Sequence, residues 1–250
     1  MKKYCRSATI VFIMLFIFFT YTNAQVPFPR ITVGVDKANN PQEISQTLQI
    51  LFLITILALA PSILIMMTSF SRIIIVFHFL RSALGTQTVP PNQILVGLAV
   101  FLTFFIMRPV INEVNEKALQ PYLHEEINQQ SALQEAERPI KAFMLKQTRD
   151  KELELFVSLS GQNVPTSSQD IAFSTVIPAF IISEIKTAFQ IGFLIYLPMV
   201  LIDIIVASVL LSLGMMMLPP MMISMPLKIL LFVLVDGWYL VVESLIQGFM

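Results

Sequence analysis

The chain has 250 residues, 56% of them apolar and 13% charged, and its sixteen basic and sixteen acidic residues cancel. That apolar excess is more than a soluble globular domain carries and points to membrane-length segments, while the balanced charge argues against a nucleic-acid footprint. The single cysteine, Cys5, excludes a disulfide framework or a cysteine-based metal site.

Residues 1–24 read as a cleavable signal peptide. Lys2, Lys3 and Arg6 precede an apolar core, Ala8 to Phe19, and Thr22-Asn23-Ala24 offers a small-residue exit. The core is short for a bilayer span; an uncleaved anchor is the alternative. Residues 25–46 form a polar extracytoplasmic lead-in carrying Pro27, Pro29 and Pro41. Residues 47–111 are predicted to form a first helical hairpin of two apolar helices. One covers Leu48 to Met67, bent or interrupted at Pro61, and the other covers Gln93 to Met107. Between them, Ser71 to Gly85 carries Arg72, His78 and Arg81 among branched apolar residues, and Thr88 to Asn92 is a turn.

Residues 112–186 are a different material, with eleven acidic and seven basic residues, and read as a charged extracytoplasmic domain. Helical spacing from Ser131 to Leu159 makes Phe143, Leu145, Leu153, Phe156 and Val157 available for a small buried face. Residues 187–250 form a second helical hairpin, its helices at Ile185 to Leu213 and Leu227 to Phe249, around a methionine-rich bend. The predicted fold class is therefore all-α: polytopic membrane-type helical hairpins with a small, largely helical extracytoplasmic domain. With Gln25 outside, the positive-inside rule puts Arg72, Arg81, Lys228 and the bend on the inner side, and the charged segment and the last residues outside.

The bend, Gly214 to Met225, holds six methionines in twelve residues. Methionine is unbranched and polarisable and re-packs around changing surfaces, and Pro219 and Pro220 force a break in the helix. Met215, Met216 and Met217 are consecutive, so at 100° per residue they cannot share one helix face. Two readings stand side by side: a deformable collar, or a hydrophobic turn packed in a bundle.

Asp203 lies within an apolar run, where an ionised carboxylate costs at least about 2.5 kcal/mol unless paired or hydrated. Lys228 is the nearest cation in the same hairpin, and their depths differ by about 5 Å. Either they pair, or Lys228 snorkels while Asp203 is protonated. Lys228, Asp236 and Glu243 fall within about 80° on a single continuous helix, a polar stripe suited to a subunit contact or a wet lumen. Glu184 and Lys186 bound the third apolar helix, and a solvated helix end is one reading of Glu184. Nothing recommends catalysis or a cofactor. His78 and His124, the only histidines, fall on opposite sides of the predicted membrane, so a metal site is not expected, and no phosphate loop or nucleophile motif is present.

Two blocks carry a family resemblance: Leu64 to Pro109, including SFSRIIIVFHFLRSALGTQTVPPNQ, and Pro178 to Trp238, including LPMVLIDIIVASVLLSLGMMMLPPMMISMPLKILL. Over roughly two fifths of the chain they closely resemble the FliP family of flagellar biosynthetic proteins, which forms the export gate of type III secretion systems. The resemblance implies a pore-forming subunit, pentameric, joined by FliQ- and FliR-type subunits and by FlhA- and FlhB-type membrane proteins. Such a gate passes unfolded flagellar proteins across the bacterial inner membrane at the flagellar basal body. It implies a pore gasket at Met215, Met216 and Met217, a charge pair of Asp203 and Lys228, and an assembly role for Glu184; Asp236 and Glu243 are further assembly candidates from their stripe. FliP-like proteins of flagella often carry a signal peptide, which tilts the reading toward flagella and away from the homologous virulence injectisome. The resemblance also implies that apolar helices can be buried against other subunits instead of lipid. An ion- or proton-coupled transporter using Asp203, Asp236 and Glu243 is the rival of a different class, though no repeated halves are evident.

Overall fold

The computed structural model describes residues 41–160, 171–215 and 217–250, so the predicted signal peptide, most of the lead-in and Met216 lie outside the described residues. Every regular element among the described residues is helical: α1 (Pro41–Met66), α2 (Phe70–Ala83), α3 (Asn92–Val114), α4 (Gln120–Leu123), α5 (Gln129–Gln147), α6 (Asp150–Leu159), α7 (Phe173–Ser212), α8 (Pro220–Leu234) and α9 (Gly237–Gln247). A π-helical turn, Asn115–Leu119, joins α3 to α4. The chain separates into two units, residues 1–52 and 53–250, with the division inside α1. The second unit holds all the packing described below.

The central element is α2, the stretch of branched apolar residues around Arg72 and Arg81. Ile73, Val76, Phe77, Leu80 and Ala83 recur at helical spacing and are almost completely buried. Their partners come from three sides. Leu95 and Ala99 of α3 pack against Ile73 and Phe77, so α3 returns antiparallel after the turn at residues 84–91. Along α7 the order is parallel: Arg72 meets Glu184, Phe79 meets Gly192, and the Leu80 to Leu84 cluster meets Met199. Leu245 and Phe249, in and just beyond α9, complete the cluster around Phe77. Small residues on α7, including Ala179, Ser183, Ala188 and Gly192, let the other helices approach closely.

At 40 residues, α7 is about 60 Å long, twice the hydrocarbon thickness of a bilayer. Its first turns belong to the charged part of the chain. Arg149 donates its backbone N–H to Ser183 Oγ at 3.1 Å and its guanidinium to Thr187 and Gln190. Beneath α5 and α6, Phe143, Leu145, Leu153 and Val157 pack on Met144, Ile171, Val176 and Phe180. In the remainder of α7 Asp203 is the one charged residue, and Ser208 and Ser212 turn their hydroxyls back onto helix carbonyls. Among the described residues two helical stretches are long and apolar enough to cross a membrane, Asn92–Leu123 and Phe173–Ser212. The α8–α9 pair would make a third if taken as one broken span.

Three sequence expectations change. The third apolar helix begins at Phe173, twelve residues before Ile185, because Glu184 is buried against Arg72 and Lys186 pairs with Glu152 from the helix surface, so neither marks a helix end. The fourth is broken at Val235-Asp236 and bent by 63°. Asp236 takes a left-handed conformation, φ 53° and ψ 50°, which ends α8 and redirects the chain. Finally, Arg72 is not at the opposite end from the charged segment. It lies against Glu184 and Gln147, while Arg81 stands about 13 Å further along α2. A buried cation must be compensated, and that requirement overrides a counting rule for loop charges.

Two tests follow from this packing. A Cβ on Gly192 would stand 2.5 Å from Cγ of Phe79, so Gly192→Ala should lower thermal stability in detergent by about 1–3 kcal/mol through overpacking; an unchanged unfolding midpoint would refute the close approach of α2 and α7. Lys186 Nζ donates to Glu152 Oε1 at 2.7 Å, and this hydrogen bond holds the Glu152 carboxyl below the usual glutamate range. A carboxyl with a lower pKa folded than unfolded stabilises the fold above its unfolded value of about 4.3, and that contribution is lost as pH falls through the folded value. The stability advantage of the parent over Glu152→Gln should therefore be full near neutrality and shrink below about pH 4.3; a difference constant with pH would exclude the linkage.

Candidate functional site: a methionine bend held by a charged clamp

The turn after α7 is built by a specific cap. Gly214, with φ +74°, follows the last helical turn; its N–H donates to Leu211 O at 3.1 Å, and the N–H of Met215 donates to Leu210 O at 2.9 Å. This is the Schellman arrangement, which satisfies the carbonyls at a helix end and needs a residue that tolerates positive φ. Pro219 and Pro220 then start α8, where a missing N–H costs nothing. Four of the described methionines stand in the few residues between the two helix ends and in the first turn of α8, and these four show their side chains outward from the single chain: Met217 is 96% exposed, Met222 73%, Met221 62% and Met215 48%. Met225, in the next turn of α8, is instead half-buried beside Gly85.

Behind the bend, α7 and α8 are clamped by polar groups. Ser224 Oγ donates to Asp203 Oδ1 and Lys228 Nζ to Asp203 Oδ2, each at 2.6 Å. Ser224 and Lys228 are four residues apart and share one face of α8. Lys228 is buried and Asp203 about one-third exposed, so the lysine turns inward to the carboxylate and does not snorkel. Both carboxylate oxygens are engaged, which is the condition under which a charge among apolar helices is tolerated.

A second buried charge site lies at the other end of α2. Arg72 donates Nε to Glu184 Oε2 at 2.9 Å and a terminal nitrogen to Glu184 Oε1. That same terminal nitrogen also reaches Gln147 Oε1 and the other terminal nitrogen reaches Gly248 O, each at 3.1 Å, and the guanidinium carbon lies 3.8 Å from the centre of the Phe249 ring. Gln147 Nε2 also donates to Phe249 O at 3.1 Å, and Lys146 Nζ to Met250 O at 2.6 Å. Glu184 is fully buried, so it is no solvated helix end.

Asp236 and Glu243 do not join these clusters. Asp236 is exposed at the α8–α9 break, and Glu243 accepts from Gln247 Nε2 at 3.2 Å on α9. With the helix broken between Lys228 and Asp236, the expected single polar stripe does not form. Sequence reasoning missed Ser224 and the Arg72 partnership. Ser224 was findable at four residues before Lys228; the Arg72–Glu184 pairing spans 112 residues and leaves no local signal. His78 Nδ1 lies 3.1 Å from an Arg81 nitrogen, and no three described His, Cys, Asp or Glu side chains are grouped to hold a metal.

Removing the Asp203 carboxylate would strand Lys228 in a buried position. Asp203→Ala should lower stability by about 2 kcal/mol, less than for a fully buried pair because Asp203 is partly solvated. Thermal unfolding of the purified protein checks this, and the double reversal of Asp203→Lys with Lys228→Asp should recover part of the loss from either reversal alone. Strict additivity would mean the two residues act independently.

Comparison with known proteins fits these features into one frame. Residues 53–245 match the FliP family. The flagellar biosynthetic protein FliP of Bacillus subtilis is 54% identical over 217 residues, covering 87% of this chain and 98% of that protein. Its namesake in Aquifex aeolicus is 47% identical over 225 residues, 88% of this chain and 92% of that one. The Treponema pallidum protein of the same name is 42% identical over 236 residues, 92% of this chain and 87% of that one. A match running through both charge sites and the methionine bend, with relatives this similar over nearly their whole length, places the chain in the FliP family.

Proposed function

We propose that this chain is a pore-forming subunit of the flagellar type III protein export gate, a multi-pass protein of the bacterial inner membrane at the flagellar basal body. Copies of the chain, five by family resemblance, combine with FliQ- and FliR-type subunits and work beside FlhA- and FlhB-type membrane proteins. Together they pass unfolded flagellar proteins. In this reading the chain catalyses no reaction. The observation that carries the proposal is the display of the bend: Met217 is 96% exposed at the end of a hairpin whose two helices are fixed to each other by Asp203, Ser224 and Lys228. A monomer gains nothing from a rigidly held, outward-facing apolar tip. A ring of such tips closes a lumen with soft contacts and reshapes around a passing chain.

The transporter reading is weaker on the same observations. A proton path needs carboxylates that exchange protons along one route, whereas Asp203 is held by Lys228, Asp236 sits at a 63° break and Glu243 lies beyond it. The similar proteins are named as flagellar biosynthetic proteins, which favours the flagellar system over an injectisome.

The test is ion conductance and secretion in cells with and without Met215, Met216 and Met217, at matched abundance of the assembled complex. Deletion should raise ion leak while the complex still forms, and stiffer bulk at these positions, such as isoleucine, should keep the seal and slow export. Unchanged leak together with unchanged secretion would return the segment to a hydrophobic turn.

A further inference from the structure

A groove of about 360 Å³ opens between the α1–α2 junction and the outer face of α3, a volume in the range that holds small-molecule ligands. Met67 and Phe70 form one wall, Phe104, Met107 and Ile111 the other, and Ile140 of α5 closes one end. Only two lining side chains carry a polar atom, and both are already occupied: Thr68 Oγ1 donates to Ile65 O at 3.3 Å and Thr103 Oγ1 to Ala99 O at 2.7 Å. The groove therefore offers no hydrogen-bonding demand and suits a hydrocarbon.

Its edge is different. From Asn92 to Met107 α3 carries no charge, and Arg108 is the first. Arg108 is exposed, is adjacent to Met107 and lies four residues after Phe104 and three before Ile111, so it flanks the apolar wall. Among the described residues it forms no ion pair. Glu113, Glu116 and Lys117 follow on the same rod, so Arg108 stands where the apolar zone gives way to the charged one. This is the level at which lipid phosphates border hydrocarbon beside a spanning helix.

We propose that this groove binds one acyl chain of an anionic phospholipid, with the headgroup phosphate held by Arg108. The chain in the groove covers apolar wall that would otherwise face the gap between helices, and the phosphate compensates a cation that pairs with no carboxylate among the described residues. The proposal rests on the chain being in a membrane and not on its having a pore role, so it can fail while that role stands.

The experiment uses the full-length protein purified within its assembly in mild detergent. Retention of phosphatidylglycerol and of phosphatidylcholine, matched in acyl length, is followed by native mass spectrometry. The parent should retain phosphatidylglycerol preferentially. Arg108→Gln should weaken that retention about fivefold, the equivalent of roughly 1 kcal/mol for one basic residue at an anionic lipid, and leave phosphatidylcholine unchanged; Arg108→Lys should keep the preference. Thr103→Trp, which fills the groove, should reduce retention of both lipids. Because Arg108 is exposed, its glutamine variant keeps the test decisive even if the tryptophan variant does not fold. Equal retention of phosphatidylglycerol by the parent and by Arg108→Gln would overturn the proposal. So would a photo-crosslinker at Phe104 that captures a second copy or another subunit in place of lipid.

Discussion

Two buried charges organise this chain. The Arg72 guanidinium and the Glu184 carboxylate are each taken out of water, which costs several kcal/mol per ion unless geometry and hydrogen bonding repay it. Repayment here needs four separate parts of the sequence at once: α2 supplies the cation, α7 the anion, α5 the Gln147 amide, and the segment after α9 a carbonyl and an aromatic face. Removal of any of them leaves a polar group uncompensated. The pair therefore specifies which helices are neighbours and in what register, more than it adds net stability, and the parallel alignment of α2 on α7 follows from it.

From that fixed point the two ends of the long hairpin differ in kind. Near Glu184 the helices are tied by side-chain hydrogen bonds from Arg149 and by the Lys186–Glu152 ion pair, a dense polar layer over an apolar floor of Met144, Val176 and Phe180. About 28 Å further along α7, the carboxylate clamp at Asp203 is the strong polar tie to α8 among the described residues, and in the last turn of α7 Val209 and Leu211 face outward. Beyond the clamp come a glycine cap, flexible thioether side chains and a proline start. The backbone there is held at both shoulders while the side chains retain rotamer freedom, a combination suited to a surface that must be located firmly yet deform.

Much of this was legible in the sequence, for reasons that can be stated residue by residue. The apolar runs and the break at Pro219-Pro220 are local, so composition and proline chemistry find them. Asp203 and Lys228 are separated by one turn of the hairpin, and counting residues on each side of the bend brings them to nearly the same depth; in the structure they are 2.6 Å apart. What local reading could not find was long-range. Glu184 and Lys186 looked like the end of a helix because charges usually mark the edge of an apolar segment, yet both are compensated by residues far away in sequence. The α8–α9 break carries a local signal, the Asp236-Gly237 turn dipeptide, but the apolar pattern continues on both sides of it and masks a real bend.

The reach of Arg72 also bears on the order in which the fold can form. Its bonds close separations of 112 residues to Glu184 and 176 to Gly248. Contacts of such sequence distance are late events, because the entropy of closing long loops is lost before the contact rewards it. As α2 emerges and docks on α3, it carries a cation with no carboxylate yet available, and α7 can compensate it only after the whole charged segment has been made. The last bonds wait for residues beyond α9. Completion of the hub thus waits for the segment around Gly248: a molecule truncated before it, or one with α7 in the wrong register, retains an under-compensated charge at its centre.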